Sequence, residues 1–226
     1  MRDTDQDWKA IGESEPWYGV LTADQFLTAN LTPERIDEFY ALGQTEVRRV
    51  VGVLERNFGP VSPETAVDLG CGTGRLTFAM SEFAKHVYGL DVAPGMLRRA
   101  NERRQAKQIL NTTFVHELPA DLHLDWINSF IVLQHIPPIK GYAILEDLFR
   151  RLTPDGLVSV QLTYFHVPNH ETTLHREMAA YVYDGESVRI LEPATPQDVG
   201  SMSMYDYDLN KVFRLLQKHG SIQLLH

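Results

Sequence analysis

The stretch Val67-Asp68-Leu69-Gly70-Cys71-Gly72-Thr73-Gly74-Arg75-Leu76-Thr77 constrains this chain more than any other. An apolar run from Thr65 to Leu69 carries an acid near its end and meets three glycines at alternate positions. An amphipathic segment opens at Arg75. That order predicts a buried parallel strand, a tight turn and the start of a helix. Glycine is needed where a turn takes positive φ, and where a ligand touches backbone with no Cβ between them.

The spacing separates two classes of ligand. A dinucleotide turn reads G-x-G-x-x-G, with its third glycine where helix packs on strand. Here Arg75 takes that place and Gly74 falls one residue early. Asp68 would repel a pyrophosphate, and it suits a ligand with a cationic amino group. A second acid, Asp91, follows the apolar run His86 to Leu90, where a carboxylate can accept both hydroxyls of a ribose. Asp91-Val92-Ala93-Pro94-Gly95-Met96-Leu97 then turns into a helix.

Together these residues resemble motif I and the following acid of the class I S-adenosylmethionine-dependent methyltransferases, whose glycine turn reads acid-x-Gly-x-Gly-x-Gly. The resemblance covers about residues 17–226 and is strongest at 65–97 and 129–163. It implies S-adenosylmethionine as cofactor. Asp68 and the turn Gly70, Cys71, Gly72, Gly74 would hold the aminoacyl tail, with Cys71 as a small filler rather than a nucleophile. Arg75 would assist the methionine carboxylate. Asp91 would take the ribose, and Val92, Met96 and Leu118 the adenine ring. Glu117 stands where the family places an acid or amide on the adenine amino group, although the usual Gly-Asp-Ala wording is missing.

Ser129 ends the fourth expected strand, at the edge where open α/β sheets bind ligands. The next residues, Gln134-His135-Ile136-Pro137-Pro138, resemble a bacterial branch of small-molecule methyltransferases. His135 is the candidate catalytic base, since an imidazole titrates near neutral pH. The alternative is a ring that bonds loop backbone and orients the turn. Tyr164, His166, His170 and His175 follow strand five and are expected to line an acceptor pocket. No cysteine or matched carboxylate accompanies these histidines, so no metal site is expected. Trp17, Tyr18, Phe26, Phe39 and Tyr40 are expected to close over the cofactor as a lid.

The reading is therefore an α/β fold, a Rossmann-like open, mostly parallel sheet with helices on both faces. Residues 1–60 form a helical N-terminal cap and 61–226 the methyltransferase core of a single domain. Residues 1–16 are expected to be loose. Gly43 separates one cap helix, from Pro33 to about Leu42, from a second bearing Val47, Val51 and Leu54 on one face. The family's strand seven is expected to be missing. A six-stranded sheet follows, with the tail 221–226 beside strand five or in a partner's sheet, hence a possible homodimer.

Composition narrows the partners. A net charge of −9 over 226 residues repels phosphate backbones and argues against nucleic acid. Arg98, Arg99, Arg103, Arg104 and Lys107 recur at helical spacing and read as a solvated helix face. Cys71 is the only cysteine, which excludes an internal disulfide and fits a reducing compartment. No secretory signal is evident, and no apolar run approaches the roughly 20 residues that span a bilayer. A cytoplasmic protein without membrane partners is expected, acting on a small molecule. Two rivals stay open: a nicotinamide-dependent oxidoreductase, and a non-catalytic S-adenosylmethionine-binding protein.

Overall fold

The computed structural model describes residues 4–164, 180–183, 188–191, 202 and 204–220. Its centre is a five-stranded sheet in the order β3-β2-β1-β4-β5, with every neighbouring pair parallel. The strands are β1 (Thr65–Leu69), β2 (His86–Leu90), β3 (Thr112–Val115), β4 (Leu124–Ser129) and β5 (Leu152–Val160). β1 lies in the middle, flanked by β2 and β4, so its C-terminal end is the point where the strand order reverses. Ligands of open α/β sheets bind in the crevice at such a point.

Helices α4 (Arg75–Met80), α5 (Pro94–Ala106) and α6 (Pro138–Arg150) connect successive strands, and α7 (Leu209–His219) comes last. They divide the interior. Val67, Leu69 and Ile127 pack with Leu145, Leu148, Phe149 and Val212 in one cluster. Ala66, Val87 and Trp126 pack with Leu76, Ala79, Val47, Val51 and Leu54 in another. Alternate strand residues thus feed opposite layers, as the period-2 geometry of a strand covered on both sides requires. The helix α7 begins as expected, with Asp208 accepting from the Asn210 N–H at 2.9 Å as its N-cap.

Three expectations are corrected. The N-terminal segment is not loose: α1 (Thr4–Ser14) and α2 (Pro16–Val20) are ordered, with Ile11 buried. Gly43 does not divide two helices, because α3 runs unbroken from Pro33 to Phe58. The glycine instead admits α4 at close range, where a Cβ would stand 2.4 Å from the Arg75 carbonyl oxygen. The basic residues of α5 are not simply solvated. Arg98 pairs with Glu13 at 2.7 Å, Arg99 lies over the Trp17 ring at 4.8 Å, and Arg103 covers Tyr40 at 3.5 Å. They fasten the N-terminal helices to the core, and cation–π contacts of this kind are worth about 0.5–2 kcal/mol each.

The sheet count also differs from expectation. Among the described residues the main sheet has five strands, against the six expected. β6 (Ala180–Tyr183) and β7 (Val188–Leu191) pair antiparallel with each other rather than extending the main sheet. Among the described residues β5 pairs with β4 alone. The expected Thr153–Gly156 turn falls inside β5. There the register shifts: Leu124 faces Leu152, while Trp126 faces Leu157. Five residues of β5 advance against two of β4, so Pro154 and Asp155 bulge outward, exposed. His166, His170 and His175, and the tail 221–226, lie outside the described residues. Among the described residues, no helix is long and apolar enough to cross a membrane.

Candidate active site

The glycine turn after β1 has the conformation its sequence demands. Gly70, Gly72 and Gly74 take φ of 70°, 53° and 85°, the left-handed region that favours glycine. The Gly70 and Cys71 N–H groups both donate to the Leu90 carbonyl, at 2.7 and 3.1 Å, which ties the turn to the end of β2. Space around it is committed. A Cβ at Gly70 would meet Val132 at 2.4 Å, and one at Gly72 would meet Val20 at 2.6 Å. Gly72 therefore serves the approach of α2 as well as any ligand.

Beneath the turn, Asp68 is buried at the C-terminal end of β1. Its Oδ2 accepts from the Thr77 hydroxyl at 2.7 Å and its Oδ1 from the Asn128 amide at 3.0 Å. Asn128 sits directly across the β1–β4 ladder from Asp68. Its own Oδ1 accepts from the Ser159 hydroxyl, which accepts from the Trp126 indole N–H, both at 2.8 Å. A polar chain thus runs from β5 to the site. Burial pushes the Asp68 carboxyl up to about 6, with Thr77, Asn128 and Arg75 pulling it back. A cation entering beside it would restore the carboxylate.

Asp91 stands at the tip of β2. Its Oδ2 accepts from the Gly72 N–H and its Oδ1 from the Ala93 N–H, each at 2.8 Å. Each oxygen keeps lone-pair capacity for a hydroxyl donor. Burial raises this carboxyl too, against the pull of those N–H groups. Arg75, the first residue of α4, is 5% exposed, and its Nε has no hydrogen-bond partner among the described residues. Burial lowers its guanidinium pKa while Asp68 raises it. A buried guanidinium with an unmet donor is suited to a ligand carboxylate.

One cavity gathers Asp68, Gly70, Cys71, Gly72, Arg75, Asp91, Val92, Met96 and His135. The Cys71 thiol is buried and burial raises it far above its usual range, consistent with a filler rather than a nucleophile. Val92 is exposed and Met96 buried, both in the lining. Four candidates lie elsewhere. Gly74 turns away from the cavity, where a Cβ would meet Phe78 and Phe114. The buried Ser129 hydroxyl donates to the Leu69 carbonyl at 3.3 Å, crosslinking two strands. Glu117 and Leu118 line a neighbouring depression beside α6 rather than the main cavity. His116 borders both hollows.

The expected aromatic lid is also corrected. Trp17, Tyr18, Phe26, Phe39 and Tyr40 do not line the cavity. Phe26, Phe39 and Tyr40 are core, packed with Phe78 and Phe114. The cavity's cover comes from α1 and α2 instead: Thr4, Asp5, Trp8, Gly19 and Val20. Trp8 meets the His135 ring edge-on at 5.1 Å. The only signal for this in the sequence is the Trp8–Ile11 spacing, too short to outweigh the polar residues around it. Ile131, at the exit of β4, has φ of 60°. A β-branched residue pays for that conformation in strain, and the Gln161 side chain accepts its N–H at 2.9 Å. Among the described residues no group of three or more His, Cys, Asp or Glu is placed to hold a metal ion.

Comparison with known proteins agrees with this geometry. A family described as a methyltransferase domain matches residues 66–156. Magnesium protoporphyrin IX methyltransferase from Synechocystis PCC 6803, solved with bound S-adenosylhomocysteine, shares the fold with a TM-score of 0.61. It is 17% identical, over 96% of this chain and 89% of that one. An S-adenosylmethionine-dependent methyltransferase from Clostridium acetobutylicum gives 0.53, at 15% identity over 88% of this chain and 85% of its own.

Among curated relatives, an uncharacterized RNA methyltransferase of Staphylococcus aureus is 28% identical over 127 residues, 55% of this chain and 28% of its own length. One from Staphylococcus epidermidis is 29% identical over 106 residues, 46% of this chain and 23% of its own. The chain thus spans about a quarter of the length of these relatives. Their names overturn the exclusion of nucleic acid drawn from net charge: an average over the whole surface does not describe the part that meets a substrate. Residues 66–156 thus match a methyltransferase domain, and the fold built around them is the one seen in solved S-adenosylmethionine-dependent methyltransferases.

Proposed function

We propose that the protein transfers the methyl group of S-adenosylmethionine to a small-molecule acceptor, giving S-adenosylhomocysteine. One observation carries this reading: a single cavity joins two acids, the buried Asp68 and the part-buried Asp91, to Arg75, whose buried Nε has no hydrogen-bond partner among the described residues. This donor set matches a ligand that bears an ammonium, a carboxylate and a ribose, and lacks phosphate. Asp68 would hold the ammonium, Arg75 the carboxylate, Asp91 the ribose, and Val92 and Met96 the adenine.

The cofactor supplies an already activated methyl on its sulfonium. This chain's residues then have to align an acceptor with that carbon and exclude water. Such positioning alone is worth about 7–11 kcal/mol. Phe130, Ile131, Val132, Ile136 and Ile144 give the cavity an apolar flank beside His135, which favours a compact, largely apolar acceptor. His135 is buried against Trp8. Its role here is to shape the acceptor end, and proton removal would be needed only for a poorly ionised acceptor. The names of the staphylococcal relatives favour RNA as the second reading.

Calorimetric titration with S-adenosylhomocysteine and with NADH tests the cofactor: the first should bind and the second should not. Radiolabelled methyl from S-adenosylmethionine, offered to a cell-metabolite extract and to total RNA in parallel, tests the acceptor. Label appearing in the metabolite fraction supports the proposal. Label confined to RNA overturns the small-molecule part, and no transfer to either favours a binding protein.

A further inference from the structure

We infer that Asn128 is a positioning residue for the amino group of the cofactor: with Ser159 and Trp126 behind it, it fixes the Asp68 carboxyl that this group would meet. The inference rests on the cofactor reading above. The sheet register carries it. Asp68 lies opposite Asn128 across the β1–β4 ladder, and Asn128 lies opposite Ser159 across the β4–β5 ladder. Three polar side chains therefore form one row across three strands. Strands of a parallel sheet covered on both faces normally read as apolar runs, so a polar row in their middle calls for a reason. Asn128 is 4% exposed and is not among the residues lining the cavity. It reaches a ligand only through Asp68.

The row has one direction. An ionised Asp68 can only accept, so Asn128 turns its Nδ2 toward Asp68 Oδ1, at 3.0 Å. The Asn128 Oδ1 then faces Ser159, whose hydroxyl donates its single proton there at 2.8 Å. The Trp126 indole N–H, a donor only, gives its proton to the same hydroxyl oxygen at 2.8 Å. Every donor points toward Asp68, and hydrogen bonds in series polarise one another. On the other carboxyl oxygen the Thr77 hydroxyl donates at 2.7 Å. With both oxygens held, the carboxyl plane is set before a ligand arrives, and each oxygen keeps a lone pair for an ammonium. Less ordering is then left to the binding step.

Charged groups on the neighbouring elements also face this carboxyl. Burial raises its pKa most, Arg75 on α4 lowers it, and Asp91 at the tip of β2 raises it. The Cys71 thiol, beside both acids, stays neutral. Asp5 on α1 acts on Asp91, and Glu46 on α3 acts on Arg75. All of these stay in place when Asn128 or Ser159 is changed. A moved Asp68 titration in such a variant therefore belongs to the row.

The test uses the full chain with Asn128→Leu, similar in shape but unable to hydrogen-bond, and Ser159→Ala, which breaks the row one link further back. S-adenosylhomocysteine affinity is measured by calorimetry on both sides of the Asp68 pKa of about 6. In Asn128→Leu the pH midpoint of binding should rise by about one to two units, the worth of one hydrogen bond to a charged group. Ser159→Ala should move it the same way by less. Urea unfolding without ligand reads the same carboxyl. Its contribution to stability, lost as pH rises through about 6, should persist to higher pH in both variants. In an Asp68→Asn background neither substitution should move that profile. A loss of affinity that is equal at every pH means packing alone and overturns the inference, as does an unmoved midpoint. If Asn128→Leu does not fold, Ser159→Ala decides alone. If the wild type binds no S-adenosylhomocysteine at any pH, the cofactor reading falls and the positioning role falls with it.

Discussion

Gly43 in the middle of α3 lies against the backbone of Arg75 at the start of α4, where a Cβ would come within 2.4 Å of the Arg75 carbonyl oxygen and 2.8 Å of its Cγ. The long N-terminal helix thereby packs against Arg75, a buried residue of the cavity lining. Glycine inside a helix costs about 0.5–1 kcal/mol relative to alanine. The close approach is what that cost secures.

Gly43→Ala should accordingly destabilise the protein in spite of its better helix propensity. Overpacking against a backbone atom costs about 1–3 kcal/mol, more than the propensity gain returns. The midpoint of urea unfolding should fall, and affinity for S-adenosylhomocysteine should fall with it as Arg75 is displaced. A midpoint at or above that of the wild type would mean that the α3–α4 contact yields freely.

Asp91→Ala should weaken S-adenosylhomocysteine by about 2–3 kcal/mol, because two charge-assisted hydrogen bonds to the ribose are lost. The structure adds a second loss: the Gly72 and Ala93 N–H groups lose their acceptor. Calorimetry on the folded variant measures the sum. Unchanged affinity would remove Asp91 from the site.

The Asp68 carboxyl gives a pH signature. Its pKa is raised from 3.8 to about 6, mainly by burial, so the folded chain holds this proton more tightly than the unfolded chain. Between about pH 4 and 6 the folded state binds more protons. This group's contribution to stability is therefore greatest below pH 4 and declines as pH rises through 6. The whole swing is about 3 kcal/mol. Asp68→Asn should flatten that part of the stability profile in urea titrations. An ammonium bound beside Asp68 lowers its pKa again, so S-adenosylhomocysteine binding near pH 5.5 should release protons. Calorimetry in buffers of different ionisation enthalpy reads that release directly, and zero release would place the amino group elsewhere.

His135→Ala distinguishes a base from a shaping residue. Loss of a general base typically costs 10²–10⁴-fold in kcat. Loss of a buried ring packed on Trp8 should instead lower thermal stability and change kcat and cofactor affinity modestly. The second outcome is expected, checked by kinetics alongside a thermal melt once an acceptor is in hand.

The sheet and its ligand crevice were legible in the sequence because they rest on local signals. Apolar runs ending in Asp68 and Asp91 fixed the two strand tips, and three alternating glycines fixed a turn that only positive φ permits. Asp208 before an amphipathic run fixed the last helix. Each of these depends on a few neighbouring residues, and backbone geometry leaves them few alternatives. The roles of Gly74 and Ser129 were not legible. A glycine or a serine reads alike whether it faces a ligand or a neighbouring strand.

Tertiary structure alone decided how the N-terminus joins the site. Trp8 and Asp5 sit in a polar segment that, by itself, cannot bury enough surface to offset the entropy of ordering it. Docking on α5, through Gly12, Gly95 and the Glu13–Arg98 pair, supplies that burial. In the same way, the aromatic residues expected as a lid became core once Phe78 and Phe114 stood opposite Phe39 and Tyr40. Local patterns specify which residues can form a strand, a turn or a cap. Which aromatic covers the cavity depends on packing partners distant in the chain, and only the folded arrangement brings them together.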